Sequence, residues 1–271
     1  MPGAVKVFGS PASAEVARVL ACLFEKDVEF KLIRVDSFRG SKRMPQYLKL
    51  QPHGEALTFE DGTVTLVESR KILRHIADNY KNQGNPDLLG TGALERSSIE
   101  QWLQTEAQGF DVPSADMVYS LAYLPQTMQI DGSKKADDGG RGEQDRDHHQ
   151  ASWQQKQQAD GGGGRPEMNA ANRQKVDEMQ QLYEKSKKEL TKVLDIYEQR
   201  LEEARYLAGD KFTLADLSHL PNADRIASDP RSLRLLQSRT NVSRWWDEIS
   251  SRESWKNVKK LQCPPSAEAP F

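Results

Sequence analysis

The sequence predicts a mixed α/β module followed by an all-helical one. Three observations carry this expectation. Over residues 5–80, short strand-like and helix-like runs alternate. Beyond Gly84-Asn85-Pro86, apolar residues recur only at helical spacing. Over residues 131–166 that periodicity gives way to a polar, glycine-rich stretch.

The first module reads as βαβ and then ββα. Val5-Lys6-Val7-Phe8-Gly9 suits a buried strand. Over residues 13–26, Val16, Val19, Leu20, Leu23 and Phe24 line one helix face. Residues 28–35 alternate like a strand, and 45–50 suit a short helix. Residues 56–59 and 63–67 flank Asp61-Gly62, a hairpin turn signal. Ile72, Leu73, Ile76 and Tyr80 then mark a closing helix. In the second module Ile99, Trp102, Leu103, Ala107 and Phe110 form a stripe, with a kink expected at Pro113. A longer stripe runs from Val176 through Met179, Tyr183, Leu190, Leu194 and Tyr197 to Leu201. Shorter helices are expected near 214–225, 242–250 and 253–261. The expected domains are 1–82 and 91–261, with a disordered insertion at 131–166 and a flexible tail at 262–271.

The 271 residues carry 38 Lys and Arg against 40 Asp and Glu, a formal charge of −2. That balance argues against nucleic-acid or membrane-surface partners. No apolar run approaches the roughly 18 residues of a membrane span. Two cysteines cannot staple a chain of this length. Cys22 lies on an apolar helix side and reads as inert, and Cys263 reads as an exposed thiol. The start, Met1-Pro2-Gly3-Ala4-Val5-Lys6, lacks a signal-peptide core, so a reducing, cytoplasmic setting is expected. The stretch 131–166 holds eight of the 18 glycines, with Trp153 as its only large apolar residue. It buries too little surface to offset its ordering entropy. Its His148-His149 pair reads as solvated, not as a metal site.

Several segments, taken in order, resemble glutathione S-transferases of the plant phi class. They are Gly9-Ser10-Pro11-Ala12-Ser13, Glu68-Ser69-Arg70, Tyr206-Leu207-Ala208-Gly209-Asp210, Phe212-Thr213-Leu214-Ala215-Asp216-Leu217 and Trp245-Trp246-Asp247-Glu248-Ile249. The resemblance runs from Ala4 to about Leu261, apart from the insertion. It implies a thioredoxin-like domain followed by an all-helical domain, and a homodimer. It also implies reduced glutathione as co-substrate, with no metal or redox cofactor.

Ser13 has two readings. It can N-cap the first helix. It can also donate its hydroxyl to the glutathione sulfur and favour the thiolate, since an ordinary thiol with a pKa of about 8.5 is little ionised at pH 7. The resemblance favours the second role. It likewise implies that Glu68 and Ser69 bind the γ-glutamyl end, where the plain alternative is a helix start without a ligand. Lys42 and Arg43 occupy basic positions facing the glycyl carboxylate, where the alternative is a solvated patch. Tyr119 and Tyr123, with Met117 nearby, match positions of the hydrophobic substrate site, and ordinary helix packing is the alternative. Thr213 and Asp216 read as a capping-box variant, with Phe212 and Leu217 spaced as its hydrophobic staple and no chemistry assigned. Trp245 and Trp246 read as core.

Two positions depart from the family pattern. Gly54-Glu55-Ala56-Leu57 stands where the family has Gly-Gln-hydrophobic-Pro. Without the proline, a cis bond before Leu57 costs about 2.5–4 kcal/mol, so a trans bond and a rebuilt loop are expected. Ala56 would then misplace its backbone bonds to the cysteinyl part of glutathione. Glu55 can only accept hydrogen bonds when ionised, whereas glutamine donates. Both changes should weaken glutathione binding without abolishing it. They also keep open a second function class, a non-catalytic carrier of flavonoid-like or hormone-like apolar ligands.

Overall fold

A computed structural model describes residues 5–34, 57–124 and 170–263. The first stretch holds β1 (Val5–Gly9), α1 (Ala14–Glu25) and β2 (Phe30–Ile33). The second opens with β3 (Leu57–Asp61), β4 (Val64–Leu66) and α2 (Ser69–Asn79). The four strands form one sheet in the order β2-β1-β3-β4. Strand β1 runs parallel to β2, with Val7 opposite Leu32, and antiparallel to β3, with Val7 opposite Phe59. This is the small mixed sheet of a thioredoxin-like domain. Val7, Leu57 and Phe59 have no exposed surface, and α1 packs against α2 beside them. Gly62 makes the β3–β4 turn with φ of 60°, a left-handed value that glycine adopts without steric cost.

The strand expected over 28–35 is shorter than the alternation suggested. Asp27 leaves α1 in a left-handed conformation, and the Val28 N–H still donates to Leu23 O at 3.0 Å, so Val28 belongs to the helix exit. The helix expected over 45–50, the Ala56–Leu57 bond, the insertion with His148 and His149, and the residues beyond Cys263 lie outside the described residues.

The helical half begins with α3 (Ala93–Thr105), a π-helical segment (Glu106–Asp111) and α4 (Val112–Tyr123). The kink expected at Pro113 takes this form: proline has no N–H and its ring clashes with the carbonyl four residues back, and the irregularity falls on the turn before it. The long α5 (Ala170–Glu203) packs along α4. Then come α6 (Leu214–Leu217), α7 (Leu220–Ser228), α8 (Arg234–Gln237), α9 (Thr240–Ser250) and α10 (Glu253–Gln262). The single helix expected over 214–225 is two, because Pro221 in the first turn of α7 cannot continue the ladder of α6. Helix α8 is too short to show a periodicity in the sequence.

The capping box is present at α6. The Asp216 carboxylate accepts the Thr213 N–H, and also the Leu207 N–H and Trp245 Nε1 at 3.0 Å each. It thereby joins α6 to α9. Trp245 and Trp246 are buried, as is Cys22, whose thiol pKa is pushed up by burial; Cys263 is exposed. One continuous apolar core runs through both halves. Among the described residues, no helix is long and apolar enough to cross a membrane.

Candidate active site

Ser13 occupies the N-cap of α1 with extended backbone, φ −73° and ψ 137°. Its carbonyl accepts the Ala17 N–H at 2.9 Å, yet its side chain makes no capping bond. The hydroxyl is half-buried and hydrogen-bonded to no described residue. Of the two readings, side-chain capping is therefore not what the hydroxyl does here. It remains available to an external acceptor, at the helix end where unpaired N–H groups concentrate positive potential.

Glu68 and Ser69 start α2. Glu68 is its N-cap, and its two carboxylate oxygens accept the Arg70 and Lys71 N–H groups at 2.9 and 2.8 Å. An ionised carboxylate has further lone pairs for a ligand ammonium. Ser69 has no exposed surface, and its Oγ accepts a hydrogen bond from Arg18 Nη1 at 3.1 Å. The Ser69 hydroxyl thereby anchors the start of α2 to α1. Lys42, Arg43, Glu55 and Ala56 lie outside the described residues.

Beneath this surface sits a charge cluster that periodicity alone does not reveal. Arg18, on α1, is 1% exposed. Its Nε donates to Ser218 O at 3.0 Å, and its Nη2 to Glu106 at 3.3 Å and Asp111 at 2.9 Å. Arg70 Nε donates to Glu106 Oε2 at 2.9 Å, and its Nη2 stands 3.0 Å from Asp111 Oδ2. Asn222 completes the ring by donating to Asp111 at 2.9 Å. Burial pushes the Glu106 pKa up despite the two guanidiniums. For Asp111 burial acts the same way, but Arg18 and Arg70 outweigh it and hold the carboxyl below its usual range. The sequence did carry a signal for Arg18. It is the single charge within Val16-Ala17-Arg18-Val19-Leu20-Ala21-Cys22-Leu23, where both sides of the helix are apolar. A charge there is either buried and paired or destabilising.

The residues expected at the hydrophobic site separate. Tyr119 and Tyr123 are 48% and 50% exposed, with ring centroids 5.0 Å apart. Lys175 Nζ lies 5.7 Å from the Tyr123 centroid. Met117 has no exposed surface and packs in the helical core, on the side of α4 away from Tyr119. A cavity of about 320 Å³ lies along α4, lined by Val118, Leu121, Ala122 and Leu124 together with Arg225, Asp229 and Arg231. Arg225 joins it to the Ser13 loop, for its Nη2 donates to Ala12 O.

A thioredoxin-like domain with an unengaged serine hydroxyl at a helix start, followed by helices that line a cavity of mixed polar and apolar character, is an architecture suited to binding a thiol. Comparison with known proteins gives the family. The family model for the glutathione S-transferase N-terminal domain matches residues 3–78, and that for the C-terminal domain matches 162–253. Glutathione S-transferase F11 of Arabidopsis thaliana is 35% identical, over 95% of this chain and 98% of its own. Glutathione S-transferase PARB of Nicotiana tabacum is 33% identical, over 96% and 99%. The crystal structure of glutathione transferase F2 from Populus trichocarpa superposes with a TM-score of 0.72 at 40% identity, covering 95% of this chain and 98% of that one. The chain belongs to the glutathione S-transferase family, in its plant phi class.

Proposed function

We propose that the protein conjugates the thiolate of reduced glutathione to hydrophobic electrophiles, in detoxification and stress response. The observation that carries this reading is the unengaged Ser13 hydroxyl at the start of α1. A hydroxyl donating to sulfur favours the anion. The helix N-terminus adds about 0.3–1 kcal/mol, and up to about 2 where partly buried. The thiolate then attacks an electrophilic carbon, by addition or with departure of halide, and this step needs no metal or redox cofactor. Glu68 would hold the γ-glutamyl ammonium, Lys42 and Arg43 the glycyl carboxylate, and the Ala56 backbone the cysteinyl unit, with that last contact and the one from Glu55 weakened by the departures from the family pattern. The acceptor would occupy the cavity along α4, the helix that also carries the exposed Tyr119 and Tyr123. The working form would be a cytoplasmic homodimer, as the family resemblance implies.

The test is conjugation of 1-chloro-2,4-dinitrobenzene followed by absorbance. Wild-type protein should turn it over. Ser13→Ala should lower kcat/KM at least about tenfold and raise the pKa of bound glutathione by about one unit or more. Leu57 and Glu55 favour the second reading, an apolar-ligand carrier. Dye binding without any turnover would establish the carrier and refute the enzyme.

A further inference from the structure

Arg225 lies in the last turn of α7, and its guanidinium reaches the carbonyl of Ala12, the residue before Ser13. It also donates to Asn222 Oδ1 at 3.4 Å. Among the described residues it forms no salt bridge. Its sequence neighbour Asp224 is taken up by Trp255 Nε1 at 3.2 Å and Lys259 Nζ at 3.0 Å. Burial, with Arg18 nearby, pushes the Arg225 pKa down, and the charge of Asp224 offsets this only in part.

Arg225 lines the cavity along α4, whose other described lining residues are apolar or paired with one another. Val118, Leu121, Ala122 and Leu124 supply the apolar wall. Arg231 closes on Asp229 at 2.6 Å and spends its other donors on Leu121 O and Leu124 O at 2.9 Å. Among the described residues, Arg225 is therefore the charge lining the cavity that has no salt-bridge partner. A volume of about 320 Å³ fits one substituted aromatic ring.

We propose that Arg225 is a specificity-determining residue that selects aromatic acceptors bearing a carboxylate or comparable anionic group for the cavity it links to the Ser13 loop. This rests on reading the cavity as the acceptor site. The planar guanidinium matches a carboxylate fork, and the apolar wall takes the ring. A neutral acceptor of the same shape gains only the second interaction.

Equilibrium binding of 4-chloro-3-nitrobenzoate and of its methyl ester, by calorimetry without glutathione, tests this apart from turnover. Wild-type protein should bind the carboxylate at least about tenfold more tightly than the ester. In Arg225→Gln that ratio should collapse to about one, and Arg225→Lys should restore part of it. A wild-type ratio near one overturns the proposal whether or not any variant folds. So does an Arg225→Gln protein in which both affinities fall together, which would mark a packing role. Absent conjugation activity with the ratio preserved would instead refute the transferase reading and leave the anion selectivity standing.

Discussion

His219 has no exposed surface and is ringed by Phe110, Tyr197 and Trp245, with centroids 4.7, 5.3 and 5.3 Å away. Its Nδ1 lies 2.7 Å from Ala215 O, and its Nε2 lies 2.8 Å from the Tyr197 hydroxyl. A neutral ring satisfies both, with Nδ1–H donating to the carbonyl and Nε2 accepting the phenol proton. Burial, helped by the charge of Arg18, pulls its pKa down to about 3, against the opposing pull of the Ala215 carbonyl. The unfolded chain protonates this histidine near pH 6.5, while the folded one stays neutral until about pH 3. Between those values the unfolded state binds the extra proton, so stability falls as pH is lowered. The limiting slope is about 1.4 kcal/mol per pH unit. Urea unfolding of wild type and His219→Gln at pH 7 and pH 4.5 should show a smaller acid loss in the variant. Equal losses would mean that another group carries the dependence. Ser13 differs from His219 in being readable: its position at a strand-to-helix junction suggested it, and only the state of its hydroxyl needed coordinates.

The π-helical segment is the element that organises the floor of the site. Residues five apart on an α-helix point about 140° away from each other. Hydrogen bonds spanning five residues bring them onto one face, and Glu106 and Asp111 consequently meet the same two arginines. Arg18 extends the link to the start of α2 through Ser69, and to the exit of α6 through the Ser218 carbonyl. Replacing it strands buried carboxylates. Arg18→Met should cost about 3–5 kcal/mol in urea unfolding and weaken glutathione binding in calorimetry, because α2 loses its anchor. An unchanged unfolding midpoint would show that Arg70 suffices for both acids. Helical spacing marks Phe110 and Leu103 correctly but puts Glu106 and Asp111 on different faces, since it presumes the α period.

Across the whole molecule, the two halves are tied again at the far end of α1. Glu25 accepts Arg252 Nε and Nη2 at 2.7 and 2.8 Å, the Ser254 hydroxyl, and Asn85 Nδ2 at 3.1 Å. One carboxylate thereby joins α1, the inter-domain linker and the start of α10. Gly84 makes this approach possible: it holds φ of 53°, and a side chain there would overlap the Glu25 carbonyl. Burial disfavours the Glu25 anion, but the bonds from Arg252, Ser254 and Asn85 prevail and lower its pKa. A lowered carboxyl pKa adds stability above the ordinary carboxylate range, and that stability is lost as pH falls through the folded value. Glu25→Gln should lower the melting temperature at pH 7 and flatten the decline below about pH 4.5, the ordinary range of this carboxyl. A decline as steep as wild type would place the acid sensitivity elsewhere.

What residue order could show was whatever repeats locally. A short apolar run marked β1, alternation marked β2, and spacings of three and four marked α1, α2 and the long stripe of α5. Asp61-Gly62 marked the hairpin, and Thr213 with Asp216 marked the α6 cap. Five separated motifs, each weak, pointed together to the family because their order spans both halves. Contacts between distant segments were not legible. Arg18 with Glu106, Glu25 with Arg252 and Arg225 with Ala12 each join residues far apart in the chain. Nor could a linear reading tell the inward Ser69 and Met117 from the outward Tyr119 and Tyr123. A side chain's exposure depends on which other elements pack over it, and that is set only when the chain folds.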